Sequence, residues 1–453
     1  MASQTYWKND SPRWIRTPAL VADVELTDTL TLPSAGADYR AARLLVRVHG
    51  RPVGYADVAA DLTTPIDLSR ILAALDSDAT ERALGHLTAD LIACGLPAPA
   101  NHTDLAAVLQ QAAGIPCAFA RSADGPHATV AVCTRDRAQL LGATLDSLLC
   151  QTYRNKEILV VDNAPSDDAA ERLVRGHYPG VRYVREDRPG LDWARNRAIV
   201  EASGEFIAYV DDDAIADPAW LAGLITAFDT PEVMCVTGLV VPARLATPAQ
   251  ELFERFGFSM SFDRRRFYLG MQSPRPGFPF KGFAGTGCNC AFRRDVFDRI
   301  GLFDVHLDVG TPVPGGGDLD MFARVILAGY TLIYDPAPLI FHDHIADMKR
   351  LIDKMGQYHT ANIAYLTKHV LSDPVYAPMI LRYLLRTYVR TTIRGLGAVL
   401  FRRDRPLSMV LRQASRAWLG PLALYRSHQQ TRVRWGGGSG AAPDAVAAVP
   451  ARE

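Results

Sequence analysis

The chain reads as an α/β protein, with a parallel sheet covered on both faces, a small α+β domain before it and a helical region after it. Three observations carry that reading. Beyond Ala128, short apolar runs alternate regularly with segments of helical period, the pattern of strands buried on both faces. Before that point, β-like runs joined by a tight turn give way to one helical stretch. After His344 the apolar spacing stays helical while arginines recur every fourth residue. These shifts place the boundaries at residues 1–117 for the α+β domain, 126–345 for the α/β domain, 346–435 for the basic helical region and 436–453 for a disordered tail.

In the first domain, Leu44–Val48 and Val53–Val58 flank His49-Gly50-Arg51-Pro52, a hairpin signal. From Asp67 to Gly95 the apolar residues Ile71, Leu72, Leu75, Leu84, Leu87, Leu91 and Ile92 take a helical period. No recognisable chemistry stands out there, and Pro116 to Pro126 reads as a linker. The alternation then begins with a strand at Thr129–Cys133 and a helix burying Leu141, Leu145 and Leu148. Strands at Ile158–Val161, Val181–Val184 and Phe206–Val210 follow, with helices opening near Ser166, Asp192 and Pro218, and Val233–Val241 completes the series. The tail from Gly436 is rich in Gly, Ala and Pro and is expected to be disordered.

Composition narrows the function classes. With 453 residues, 48% of them apolar and 22% charged, the chain is globular and long enough for several domains. A net charge of zero argues against a nucleic-acid-coating protein, so no nucleic acid partner is expected. Met1 to Arg13 lacks the apolar core of a secretion signal, and no run has the length to span a bilayer. Seven scattered cysteines offer no disulfide framework and suit a reducing, cytoplasmic setting. Cys288-Asn289-Cys290 has no second pair at zinc spacing.

Polar residues collect where the strands end, and ligands of such sheets bind there. Thr134, Arg135 and Asp136 follow the first strand and Asp162 and Asn163 the second, while the fourth runs straight into Asp211-Asp212-Asp213. Clustered carboxylates raise one another's pKa unless a cation neutralises them. Oxygen ligands suit magnesium or manganese, which bind one or two carboxylates together with substrate phosphates. An acidic turn that merely precedes a helix is the plainer reading of the triplet alone. Neither a Gly-x-x-x-x-Gly-Lys-Ser/Thr loop nor a Gly-x-Gly-x-x-Gly turn is present, so a nucleotide here would be held through metal and carboxylates.

From Ala128 to His344 the chain resembles the family 2 inverting glycosyltransferases of GT-A fold. The resemblance rests on Val130–Arg137, on Glu157–Asn163, on Arg188-Pro-Gly-Leu-Asp-Trp-Ala-Arg-Asn196, on the Asp triplet as a DxD motif, on Gly285–Arg294 and on Gly317-Asp-Leu-Asp320. It implies a nucleoside-diphosphate sugar as donor and an unidentified hydroxyl as acceptor. Thr134, Arg135, Asp136, Asp162, Asn163, Gly190, Arg195, Asp211 and Asp212 would line the donor, and Gly287, Asn289 and Asp320 the acceptor. Asp211, Asp213 and His342 would hold the cation, and Asp318 would be the base. Where the family commonly has Glu, this chain has Gly317, which puts one acceptor contact in doubt; the run Pro314-Gly315-Gly316-Gly317 is expected to be mobile. Two other readings stay open: a sugar-nucleotide-binding protein without turnover, and a sugar-1-phosphate nucleotidyltransferase.

The helical region carries Arg382, Arg386, Arg390 and Arg394 on one face, beside Leu384, Leu385, Val389, Ile393, Leu396, Val399 and Leu400. Such helices bind anionic membrane surfaces, here at the cytoplasmic face, or else pack as a subdomain with a solvated basic side.

Overall fold

The computed structural model describes residues 17–28, 38–59, 65–99, 103–118, 122–256, 261–270, 284–397 and 406–435. Expectations for the first residues, for Val399 and Leu400 and for the tail fall outside them. Two compact units result, one of residues 1–120, 242–255 and 344–347, the other of 121–241, 256–343 and 348–453.

The first unit holds β1 (Ala19–Glu25), β2 (Ala41–Val48), β3 (Arg51–Ala59), α1 (Leu68–Ala74), α2 (Ser77–Ala93) and α3 (Leu105–Gln111). β1 runs parallel and β3 antiparallel to β2. The β2–β3 turn is made by His49 and Gly50 alone, at φ 49° and 74°, the left-handed pair that a two-residue hairpin requires. The helical stretch after Asp67 is broken in two, because the Asp76 carboxylate accepts the Ala79 N–H at 2.7 Å and starts α2 afresh. Val46, Val48, Leu87 and Leu91 are among the residues of its core. α3 was not expected, since its seven residues are too few to show a period.

The second unit opens with β4 (Ala128–Thr134), α4 (Ala138–Leu149), β5 (Lys156–Asn163), α5 (Ala169–His177), β6 (Val181–Glu186), α6 (Leu191–Glu201), β7 (Phe206–Asp211), β8 (Ala214–Ala216), α7 (Trp220–Thr226) and β9 (Val233–Pro242). Past α8 (Pro248–Phe256), which apart from its last residue belongs to the first unit, come β10 (Arg265–Phe267), β11 (Asn289–Arg293), α9 (Val296–Ile300), α10 (Gly317–Leu327) and β12 (Thr331–His342). Helices α11 (Met348–Ser372), α12 (Ala377–Gly397), α13 (Leu407–Ala417) and α14 (Gly420–Trp435) close the chain. The strand order is β10-β12-β9-β11-β7-β4-β5-β6, with β8 added to β12.

Both faces of the sheet are buried. Val130 and Val132 of β4 enter one core and Ala131 the other, the period-2 alternation of a strand covered on both sides. The expected parallel sheet extends only over β6, β5, β4 and β7. β11 lies antiparallel between β7 and β9, so the sheet is mixed and β9 is not the neighbour of β7. An apolar run such as Val233–Pro242, buried at every position, carries no mark of its direction, which is why composition could not reveal the insertion. The second unit is thus a mixed α/β sheet with a helical carboxyl-terminal region.

Those last helices are packed. Ala361, Ala364 and Tyr365 of α11, Ile380 of α12 and Leu424 of α14 share a core with Ala323 of α10. Yet α12 leaves Leu381, Leu385, Val389, Ile393 and Leu396 exposed at near four-residue intervals, next to exposed Arg382 and Arg386. Among the described residues no helix is long and apolar enough to cross a membrane.

Candidate active site

The site grows from the carboxyl end of β7. Cys133 of β4 pairs with Asp211 and Val210 with Asn289 of β11, which fixes the acidic turn between two strands. β8 then places Ala214 opposite His342 at the end of β12. Asp213 Oδ1 comes within 3.6 Å of His342 Nε2, and Asp211, Asp213 and His342 offer ligand atoms all within 4.8 Å of one another. Asp212 is held apart from this group: Thr134 Oγ1 donates to one of its oxygens at 2.7 Å and Arg137 to the other at 2.6 Å. The second arm of Arg137 donates to Asp213 at 2.6 Å.

One guanidinium does not satisfy three carboxylates. Burial, and then the charge of Asp213, pushes Asp211 up to about 7, and burial pushes Asp212 up to about 6. Asp213 Oδ1 is enclosed and has no hydrogen-bond partner in the described structure. An orphaned buried oxygen beside a crowded carboxylate and an imidazole is a donor set that fits a divalent cation.

Across the crevice, Asp318 sits in the first turn of α10. Its two oxygens accept the backbone N–H groups of Gly287 at 2.7 Å and Leu319 at 2.8 Å. Burial, and then the negative charge of Asp308, raises its pKa, against the opposing pull of Arg195. Arg195 is itself buried and donates to Asp192 and Asp308, both at 2.8 Å. Position 287 must be glycine, because a Cβ there would stand 2.7 Å from the Arg195 guanidinium and 2.8 Å from Asp318 Cβ. Position 317 must be glycine as well: a Cβ would fall 2.0 Å from Asp192 Oδ2. The Asp192 carboxylate therefore occupies the space that a side chain at 317 would fill, and its Oδ2 has no hydrogen-bond partner in the described structure. Gly317 is not a mobile linker residue but the first residue of α10.

Residues 129–301 match the sequence model described as glycosyl transferase family 2. This part of the chain is therefore similar to that family. Among its relatives are a glucosyl-dolichyl phosphate glucuronosyltransferase of Haloferax volcanii, 28% identical over 39% of this chain and 56% of that protein, and the succinoglycan biosynthesis protein ExoM of Rhizobium meliloti, 29% identical over 46% and 64%. The chain thus spans less than two thirds of the length of either. Among solved structures it is similar to the mannosyltransferase PcManGT of Pyrobaculum calidifontis in complex with GDP-Man and Mn2+, at 18% identity and a TM-score of 0.44 over 79% of this chain and 99% of that one.

Within this part of the chain, the donor-side residues fall into two groups. Thr134, Asp211 and Asp212 lie together as described. Asp162 is buried under Tyr183, whose hydroxyl donates to it at 2.8 Å, and burial raises its pKa. Asn163 Oδ1 accepts the Gly190 N–H at 2.8 Å, and Gly190 at φ 143° opens α6. Arg135 is exposed and Asp136 accepts two hydrogen bonds from Ser166, so both lie on the rim.

Two residues expected on the acceptor side are buried and bonded within the protein. Asn289 is fully buried and its amide is used within the protein, accepting from Trp220 Nε1 at 2.8 Å and donating to the carbonyls of Leu239 and Pro338. Asp320 is also fully buried, with Arg324 at 2.9 Å, Lys368 at 2.7 Å and His369 at 3.1 Å; against the cost of burial, Lys368 above all, then Arg324 and the His369 contact, hold it well below the usual carboxylate range. Each residue ties elements together and has no free face for an acceptor. Sequence reasoning missed Arg137, Asp192, Asp308 and Tyr358 as site residues. Burial above all, and then nearby carboxylates including Asp318, Asp211 and Asp308, raises the Tyr358 phenol on α11, so it stays protonated. Arg137 and Asp192 stood inside motifs already noted; nothing in the spacing of Asp308 or Tyr358 pointed to the crevice.

Proposed function

We propose that this chain transfers a glycosyl group from a nucleoside-diphosphate sugar to an acceptor hydroxyl with inversion. The observation that carries the proposal is the pairing of an under-neutralised Asp211–Asp213–His342 cluster with a separate buried carboxylate, Asp318, oriented by two backbone N–H groups. Asp211, Asp213 and His342 would hold a manganese or magnesium ion, which when bound neutralises the diphosphate as it leaves. Asp318 takes the proton of the acceptor hydroxyl, so the step is one displacement with one base and no protein nucleophile. Its two backbone hydrogen bonds orient it and leave each oxygen a further lone pair. Arg137 holds Asp212 and Asp213 in place, Arg195 orders Asp192 and Asp308 behind the base, and Tyr358 offers a hydroxyl on the acceptor side. Thr134, Asp162, Asn163 and Gly190 shape the donor pocket.

In this reading α12 is a peripheral contact to anionic lipid at the cytoplasmic face. Its exposed apolar stripe beside Arg382 and Arg386 supports that part. Incubation with a panel of sugar nucleotides and manganese, scored for nucleoside diphosphate and for the anomeric configuration of the product, tests the activity. Release of diphosphate with inversion is expected. Binding without release would leave a sugar-nucleotide-binding protein, and release of pyrophosphate from a nucleoside triphosphate and a sugar 1-phosphate would make it a nucleotidyltransferase.

A further inference from the structure

The amino-terminal unit holds a second convergence of ligand-type side chains, unrelated to the acidic crevice. His49 from the β2–β3 turn, His86 and Asp90 from α2, and Cys117 from the segment after α3 present ligand atoms all within 4.8 Å of one another. Asp90 is fully buried at the centre, its Oδ2 lying 2.7 Å from His49 Nδ1 and 3.3 Å from His86 Nε2. His86 Nε2 is 3.4 Å from Cys117 Sγ.

We propose that these four residues form a zinc site. Zinc–nitrogen and zinc–oxygen bonds of about 2.0–2.2 Å and zinc–sulfur bonds of about 2.3 Å put tetrahedral ligands roughly 3.4–3.6 Å apart, close to the His86–Asp90 and His86–Cys117 separations. Two imidazoles, a thiolate and a carboxylate are a mixed set that suits zinc better than magnesium or calcium, which take oxygen alone. The surroundings support the ligands. Asp90 Oδ1 accepts the Ala118 N–H at 2.7 Å, which fixes both the carboxylate and the residue next to Cys117. His49 keeps a left-handed backbone at φ 49°, and Glu25 holds the turn through the N–H groups of His49 and Gly50 at 2.9 and 2.6 Å. Zinc at this point ties the hairpin, α2 and the segment after α3 to one another, a structural role that releases the thiol proton of Cys117 on binding.

Cobalt substitution of the full chain tests the site. After chelation and dialysis, one equivalent of cobalt is expected to give tetrahedral visible bands with a thiolate charge-transfer band, and zinc to bleach both. Cys117→Ser should remove the charge-transfer band, His86→Ala should weaken zinc binding on the order of tenfold or more, and Asp213→Ala should leave the band unchanged. Zinc should also raise the thermal midpoint of the wild-type chain. Absence of the band in the wild-type protein, or its survival in Cys117→Ser, would overturn the proposal and leave the four side chains as a hydrogen-bonded knot.

Discussion

The two sides of the crevice hold their carboxylates in different ways. On the side of β7, the Arg137 guanidinium bonds Asp212 and Asp213 but not Asp211, and Asp211 is pushed up to about 7 by burial and by Asp213 against the pull of Arg195. On the side of α10, Asp192 and Asp308 both bond Arg195 directly, and Asp318 feels its field while holding two backbone N–H groups. Each side sets buried carboxylates against few positive charges and leaves one oxygen without a hydrogen bond, on Asp213 or on Asp192; they differ in that Asp213 stands beside an imidazole while Asp318 is held by two backbone N–H groups. We propose that the same residue type serves as a cation ligand in the first setting and as a base in the second.

The largest effect that could break this contrast is on the side of β7. Asp213→Ala removes a ligand and should lower turnover on the order of a hundredfold or more, with a matching loss of manganese response; steady-state rates over a manganese series check it. Asp318→Asn should cost roughly a hundredfold or more in kcat while donor KM and the manganese response stay as in the wild type. A variant with full activity would move the base elsewhere.

A smaller change sharpens the geometry behind the base. Gly317→Ala drives a methyl into the Asp192 carboxylate and should destabilise the chain by about 1–3 kcal/mol, read as a lower denaturant midpoint. The smallest effect concerns pH. Asp318 must be ionised to accept a proton, and its raised pKa sets the acid limb of kcat above the ordinary carboxylate range. Asp308→Asn removes a charge that raises that pKa and frees Arg195 to lower it, so the limb should move to lower pH. A limb that stays put would exclude Asp308 as the cause.

The two sides also differ in how far they could be read from sequence. On the β7 side, strands that run into Thr134, Asp162 and Asp211 announce both the parallel sheet and the ligand end, because continuous apolar runs and abrupt polar ends are local signals. On the α10 side the contacts join segments far apart in the chain: Asp308 reaches Arg195 across 113 residues. The antiparallel insertion of β11 turned Asn289 into a buried tie between β9 and β12, and Asp320 found its partners on α11. No spacing rule exposes such pairings. The same holds for His49, His86, Asp90 and Cys117, whose separations match no zinc motif although the fold gathers them.

The central claim is that the cation belongs to one side and the base to the other. Calorimetric titration of nucleoside diphosphate into the wild type, Asp213→Ala and Asp318→Asn, each with and without manganese, tests it most directly. Manganese should strengthen binding strongly in the wild type and equally in Asp318→Asn, and hardly at all in Asp213→Ala. Equal manganese enhancement in Asp213→Ala and the wild type would contradict the account.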